Sequence, residues 1–213
     1  MIAEFLNQLA RADLFEAAGL VSGLLCVWLL IRQSIWTWPI GLLYALVSLF
    51  VFYNSRLYSE FGLHIYYVLM NAYGWYYWSK GGTPSSQENT SVPISRITPA
   101  NAAIVLLLVI IGVPLLAETL NAVTDAEMAY PDSAITVLSF AGMWMTARKY
   151  IENWYVWLVV DVLATGLYIH KGIELYAVLY GVYIIMAVMG WLAWQRTLLA
   201  QEDSLPLADA ISS

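Results

Sequence analysis

The chain has 213 residues, 61% of them hydrophobic and 11% charged, with a mean hydropathy of +0.69 and a formal net charge of −6. So few charged groups cannot coat a soluble globule of this length, which places the chain in a lipid bilayer, and the acidic balance gives no reason to invoke nucleic acid. The single cysteine, Cys26, lies inside an apolar run; it excludes an intrachain disulfide and reads as packing.

Residues 1–13 carry Ile2, Phe5, Leu6 and Leu9 at roughly helical spacing, which suits either an interfacial helix or a disordered segment. Acidic residues mixed with one Arg are the wrong order for a cleaved signal peptide, so the first apolar run is expected to be retained. That run, 14–31, has Gly19 and Gly23 four apart, a spacing that lets another helix approach. A second span opens at Trp36-Thr37-Trp38-Pro39 and runs to Tyr53, with proline in the first turn, where its missing N–H costs no bond. After a short connection at 54–62, a third span covers 63–78.

Residues 79–101 turn to Gly, Thr, Pro, Ser, Gln, Glu and Asn and predict a hydrophilic linker without a buried face of its own. A fourth span, 102–120, is apolar on every side and contains Pro114. An acidic loop holding Asp125, Glu127 and Asp132 follows, then three further spans at 134–150, 154–170 and 173–194, and a polar tail from Gln195. The predicted organisation is therefore an N-terminal segment (1–13), a first unit (14–78), a linker region with its own helix (79–133), a second unit (134–194) and a tail (195–213).

The two units are spelled alike. YVLMNAYGWYYW, residues 67–78, returns as YIIMAVMGWLAW, residues 183–194, with Tyr, Met, Gly and two Trp in step at an offset of 116. Trp36 and Trp154 match at an offset of 118, as do Leu57-Tyr58 and Leu175-Tyr176, which predicts a two-residue loop deletion between copies. Three spans and one linker span return the chain to its starting side, so the copies are expected to be parallel, related by an axis along the membrane normal. The fold class predicted is all-α integral membrane, seven transmembrane helices in a 3+1+3 arrangement. Six basic residues (Arg32, Lys80, Arg96, Arg148, Lys149, Arg196) fall on one side and three (Arg11, Arg56, Lys171) on the other, which predicts an outside N-terminus and a cytoplasmic C-terminus.

Asp161 lies near the middle of the sixth span, where an ionisable group is costly and faces protein or a water-filled cavity. Two roles fit it, a counter-ion for a cationic substrate or a hydrogen-bonded structural group. Asn71, at similar depth in the third span, suits a pocket amide or inter-helix glue. Trp154 and Trp157 stand three apart with Asp161 four beyond, an aromatic and carboxylate stripe able to hold a flat cation; Trp154 also fits an interfacial belt. His64 and His170 fall near span ends, and no third ligand stands at metal spacing. Walker A, zinc and Ser-His-Asp patterns are missing, so neither an enzyme nor an energised pump is expected, and no cofactor is called for.

WTWPIG (36–41), YGWYYW (73–78), ENWYVWLVVDV (152–162) and YIHKGIELYAVLY (168–180) resemble the PnuC family of bacterial vitamin transporters, with the likeness running from the first span to Trp194. The resemblance implies a 3+1+3 homotrimer in the bacterial inner membrane, each protomer with its own path for nicotinamide riboside or, in related branches, thiamine or riboflavin. It also implies facilitated diffusion, made net inward by a cytoplasmic kinase that phosphorylates the product. Where the nicotinamide riboside branch often has Gln before YGW, this chain has Asn71. The substrate path is expected along Tyr67, Asn71, Trp75, Trp157, Asp161, Tyr180 and Tyr183, taking a cationic vitamin or nucleoside. Gly74 and Gly190 are candidate pivots for rocking one unit against the other. Two other classes fit the residues less well. A retinal photoreceptor needs a lysine within the last helix, and Lys171 precedes it; a substrate-free scaffold leaves the aromatic path without a purpose.

Overall fold

The computed structural model describes residues 14–54, 58–80, 92–124 and 128–211. The segment 1–13 and the loop residues Asp125 and Glu127 lie outside these, as do Arg56 and Leu57. Seven helices form among the described residues: α1 (Leu14–Ile31), α2 (Thr37–Asn54), α3 (Tyr58–Lys80), α4 (Pro99–Val123), α5 (Ala129–Ala147), α6 (Asn153–His170) and α7 (Glu174–Ile211).

Six of them close into a ring. Within the first unit α1 packs on α2 and α2 on α3; within the second α5 packs on α6 and α6 on α7. The units then meet reciprocally, α1 against α7 and α3 against α5, while α4 lies outside the ring against α5. Reciprocity of this kind is what a two-fold axis along the membrane normal produces when the copies are parallel. Most of the side chains of α4 point away from the protein, with Leu106, Leu107, Ile110, Ile111 and Leu115 all exposed, as befits a helix bathed in lipid.

Helix ends repeat at one offset. Ile31 and Ala147, Thr37 and Asn153, Asn54 and His170, and Tyr58 and Glu174 are each 116 apart. The pairing of Trp36 with Trp154 and the loop deletion it required are thereby corrected. Trp38 is the counterpart of Trp154, and both are buried, whereas Trp36 is 65% exposed. A letter match two residues out of register puts a side chain on another helix face, because each residue turns the helix by about 100°.

The end of each unit's first helix is built the same way. Ser34 N–H bonds to Leu29 C=O at 2.9 Å and Tyr150 N–H to Met145 C=O at 3.0 Å, closing six-residue turns in which Gln33 and Lys149 adopt φ of 55° and 54°. Glycine is the usual residue there, and a side chain costs about 1 kcal/mol. The two residues meet across the axis, Lys149 Nζ donating to Gln33 Oε1 at 3.4 Å, while Gln33 Nε2 donates to Thr197 Oγ1 at 3.1 Å.

Four tryptophans fill this end of the ring. Trp38 stands edge-on to Trp78 at 5.3 Å, Trp154 edge-on to Trp194 at 5.5 Å, and Trp78 meets Trp194 at 6.3 Å. Trp78 Nε1 donates to Ala147 C=O at 3.1 Å and Trp194 Nε1 to Leu30 C=O at 3.2 Å, so each third helix holds the first helix of the opposite unit. Lipid is as apolar as leucine, so helices associate here through close packing and such bonds, worth about 1 kcal/mol each. Gly74 and Gly190 serve the rings: a Cβ on either would collide with the six-membered ring of Trp38 or Trp154 respectively.

Two expectations about the connections are corrected. In the linker, Val92 and Ile94 are buried, Ser95 N–H bonds to Lys149 C=O at 3.1 Å and Ile151 N–H to Ser95 C=O at 3.0 Å. Ile97 N–H reaches Glu152 Oε2 at 2.9 Å. Two β-branched residues in a polar stretch are thus enough to seat a strap on the α5–α6 turn. Beyond Gln195, α7 continues as helix and buries Leu198 one turn after Trp194, since Leu198 keeps the i, i+4 spacing of that face.

Candidate functional site

A cavity of about 320 Å³ lies inside the ring and takes side chains from all six ring helices, a volume at the lower end of small-molecule sites. Each helix contributes one narrow stripe. On α3 the inward positions are His64, Tyr67, Asn71, Gly74 and Trp78, and on α7 their counterparts are Tyr180, Tyr183, Ala187, Gly190 and Trp194, a three-four alternation in both. On α2 and α6 the stripes are Trp38, Gly41, Ala45 and Trp154, Trp157, Asp161.

Six of the seven residues expected on the path line this cavity: Tyr67, Asn71, Trp157, Asp161, Tyr180 and Tyr183. Trp75 does not reach it. One residue past inward-facing Gly74, it is turned by about 100° and lies 43% exposed on the outer face of α3. Trp154, read also as a belt residue, is buried at the cavity floor beside Trp38. His64, expected near an exposed span end, is buried edge-on to Tyr67 at 5.5 Å; its counterpart Tyr180 stands edge-on to Tyr183 at 5.6 Å.

Asp161 is 6% exposed, and among the described residues its carboxylate receives no hydrogen bond; the Thr165 hydroxyl, 2.7 Å away, donates to its backbone carbonyl instead. Trp157 is oriented by its own N–H, which donates to Thr146 Oγ1 at 3.0 Å, while that hydroxyl donates to Gly142 C=O at 2.8 Å. Gly142 leaves room for the ring, since a Cβ there would come within 3.1 Å of it. Asn71 is tied by Nδ2 to Tyr67 C=O at 2.8 Å, which leaves its second N–H and its oxygen for another group. The cavity thus combines an aromatic wall, a carboxylate without a hydrogen bond from the described residues, and an amide edge in a largely apolar space.

Below the floor the Lys149 amine is fully buried, 4.3 Å from the centre of the Trp78 ring. Burial pushes its pKa down to about 8. Among the described residues no group of three His, Cys, Asp or Glu side chains could hold a metal.

Sequence reasoning missed Gly41, Trp38, Tyr44 and Thr146 as lining residues. Trp38 and Gly41 were within reach, because the 116 offset maps them onto Trp154 and Trp157.

A family model described as nicotinamide mononucleotide transporter matches residues 13–196. The chain belongs to this family. Members are transporters rather than enzymes, and the protein is a vitamin transporter of the PnuC type. It is similar to the nicotinamide riboside transporter PnuC of Escherichia coli, 26% identical over 203 residues, covering 84% of each chain. It is equally similar to the riboflavin/roseoflavin transporter RibM of Streptomyces davaonensis, 27% identical over 195 residues, with coverage of 91% and 89%. A crystal structure of the vitamin B3 transporter PnuC superposes with a TM-score of 0.66 at 22% identity, over 85% of this chain and 80% of that one, and shows the shared fold.

Proposed function

We propose that the protein carries nicotinamide riboside across the membrane by facilitated diffusion. The observation that supports this reading is the Asp161 carboxylate, which takes no hydrogen bond from the described residues, placed in the same cavity as the Trp157 ring and the Asn71 amide. Nicotinamide riboside is a pyridinium cation bearing a carboxamide. Its ring stacks on Trp157, its positive charge faces Asp161, and its amide pairs with Asn71. A buried carboxylate with no hydrogen bond from the described residues is costly when ionised, and a bound cation offsets that cost only while it is present.

Thiamine is the second reading, because its thiazolium is also a cation and its aminopyrimidine offers an amide-like edge. Riboflavin, the substrate named for the Streptomyces relative, is neutral and leaves Asp161 without a counter-charge. The excess of basic residues at the tryptophan-filled end supports a cytoplasmic position for that end, with the N-terminus outside. Release into the cytoplasm then requires the reciprocal tryptophan bonds to part, and phosphorylation by a cytoplasmic kinase makes uptake net inward. A homotrimer in the bacterial inner membrane, with one path per protomer, completes the proposal.

Counterflow in liposomes with labelled nicotinamide riboside, thiamine and riboflavin tests the reading. Exchange of nicotinamide riboside without an ion gradient is expected; exchange of riboflavin alone overturns it.

A further inference from the structure

The first unit gives up volume on α2 where the second unit fills it on α6. Gly41 and Trp157 are counterparts at the 116 offset, and so are Asn71 and Ala187 on the helices packed beside them. Small faces large in the first unit, and large faces small in the second. The first arrangement is tight: a Cβ built on Gly41 would strike Asn71 Oδ1 and lie 3.1 Å from its Cγ and 3.4 Å from its Nδ2. The Asn71 carboxamide therefore rests on the backbone of α2, in space that any other residue at position 41 would occupy. Its remaining tether is the 2.8 Å bond from Nδ2 to Tyr67 C=O.

We infer that Gly41 is a positioning residue for Asn71, and that this small-to-large exchange decides which way round a ring-and-amide substrate lies in the cavity. The inference rests on the reading of the cavity as the substrate site. With glycine at 41 the amide lies back against α2 and opens the middle of the cavity to the substrate. With Cβ at 41 the amide is driven off that wall, and the pairing edge moves with it. Across the axis Trp157 fills the corresponding place and supplies a stacking face, with Ala187 leaving it room. A two-fold cavity would accept an unsymmetrical substrate in two orientations; the exchange leaves one.

Uptake kinetics of G41A, N71A and the double variant in proteoliposomes test this. Alanine strengthens a helix relative to glycine, so a loss in G41A does not come from a weaker α2. G41A and N71A are each expected to raise KM about tenfold at unchanged maximal rate, with the double variant no worse than N71A alone. An additive double variant, or a G41A with wild-type KM, overturns the inference. If G41A fails to fold, N71A in the same chain is expected to restore expression by vacating the contested space; failure of the double variant to fold also overturns it. A wild-type KM in N71A is a separate result: it removes Asn71 from the site and with it the reading on which the inference rests, whereas additivity removes only the positioning role.

Discussion

Trp38 and Trp154 hold the same place in the two units, each buried over a glycine and each edge-on to the tryptophan of the third helix. One and two turns further into the membrane the units part company: Gly41 and Ala45 stand in the first, Trp157 and Asp161 in the second. Agreement is concentrated at the tryptophan-filled end, where the units hold each other, and disagreement around the cavity. A symmetric clamp can be made twice from one design, because each copy does the same job for the other. A site for an unsymmetrical molecule cannot, so the second unit carries the stacking ring and the carboxylate while the first contributes the amide and the space around it.

Breaking the carboxylate side is expected to have the largest effect. D161N should lower uptake of a cationic vitamin by about ten- to a hundredfold, the size of losing one charged contact, at equal protein level in the membrane. Unchanged uptake would leave Asp161 as a structural group and return the second unit to parity with the first.

The symmetric side is tested by matched pairs. Alanine at Gly74 or at Gly190 forces a methyl into a tryptophan ring, and each should cost about 1–3 kcal/mol of stability. Thermal unfolding in detergent should show drops of similar size for the two; a large drop in one alone would mean that the clamp is held mainly by one unit. Shrinking the indole tests the inter-unit bonds. W78F and W194F each lose one inter-unit hydrogen bond and leave part of a buried indole's space empty, and each should cost about 2–3 kcal/mol in the same thermal unfolding.

A pH-dependent effect is expected where counterparts touch, at Lys149 and Gln33. The folded pKa of Lys149, about 8, lies below the ordinary 10.5, so between pH 8 and pH 10.5 the unfolded chain binds more protons and stability rises with pH. The melting temperature of the wild type should therefore climb across that window relative to K149M. Equal pH profiles for the two would place the buried amine in a better solvated setting than the fold gives it.

Much of this architecture was legible in the residues. Apolar run lengths located seven helices, the repeated YxxMxxxGWxxW spelling gave the offset, and the depth of Asp161 and Asn71 singled them out because polar groups are costly there. Helix register was another matter. Trp36 and Trp38 are the same residue two positions apart, yet one is exposed and the other buried; Trp75 follows Gly74 and faces outward; His64 lies near a span end and is buried; Val92 and Ile94 are buried from within a polar linker. In a soluble protein the inward face of a helix is marked by its apolar residues. A membrane helix is apolar on the lipid side as well, so composition and periodicity determined where the chain crosses and that it does so twice over in threes, while only the packing of one helix on the next decided which side chains meet in the cavity.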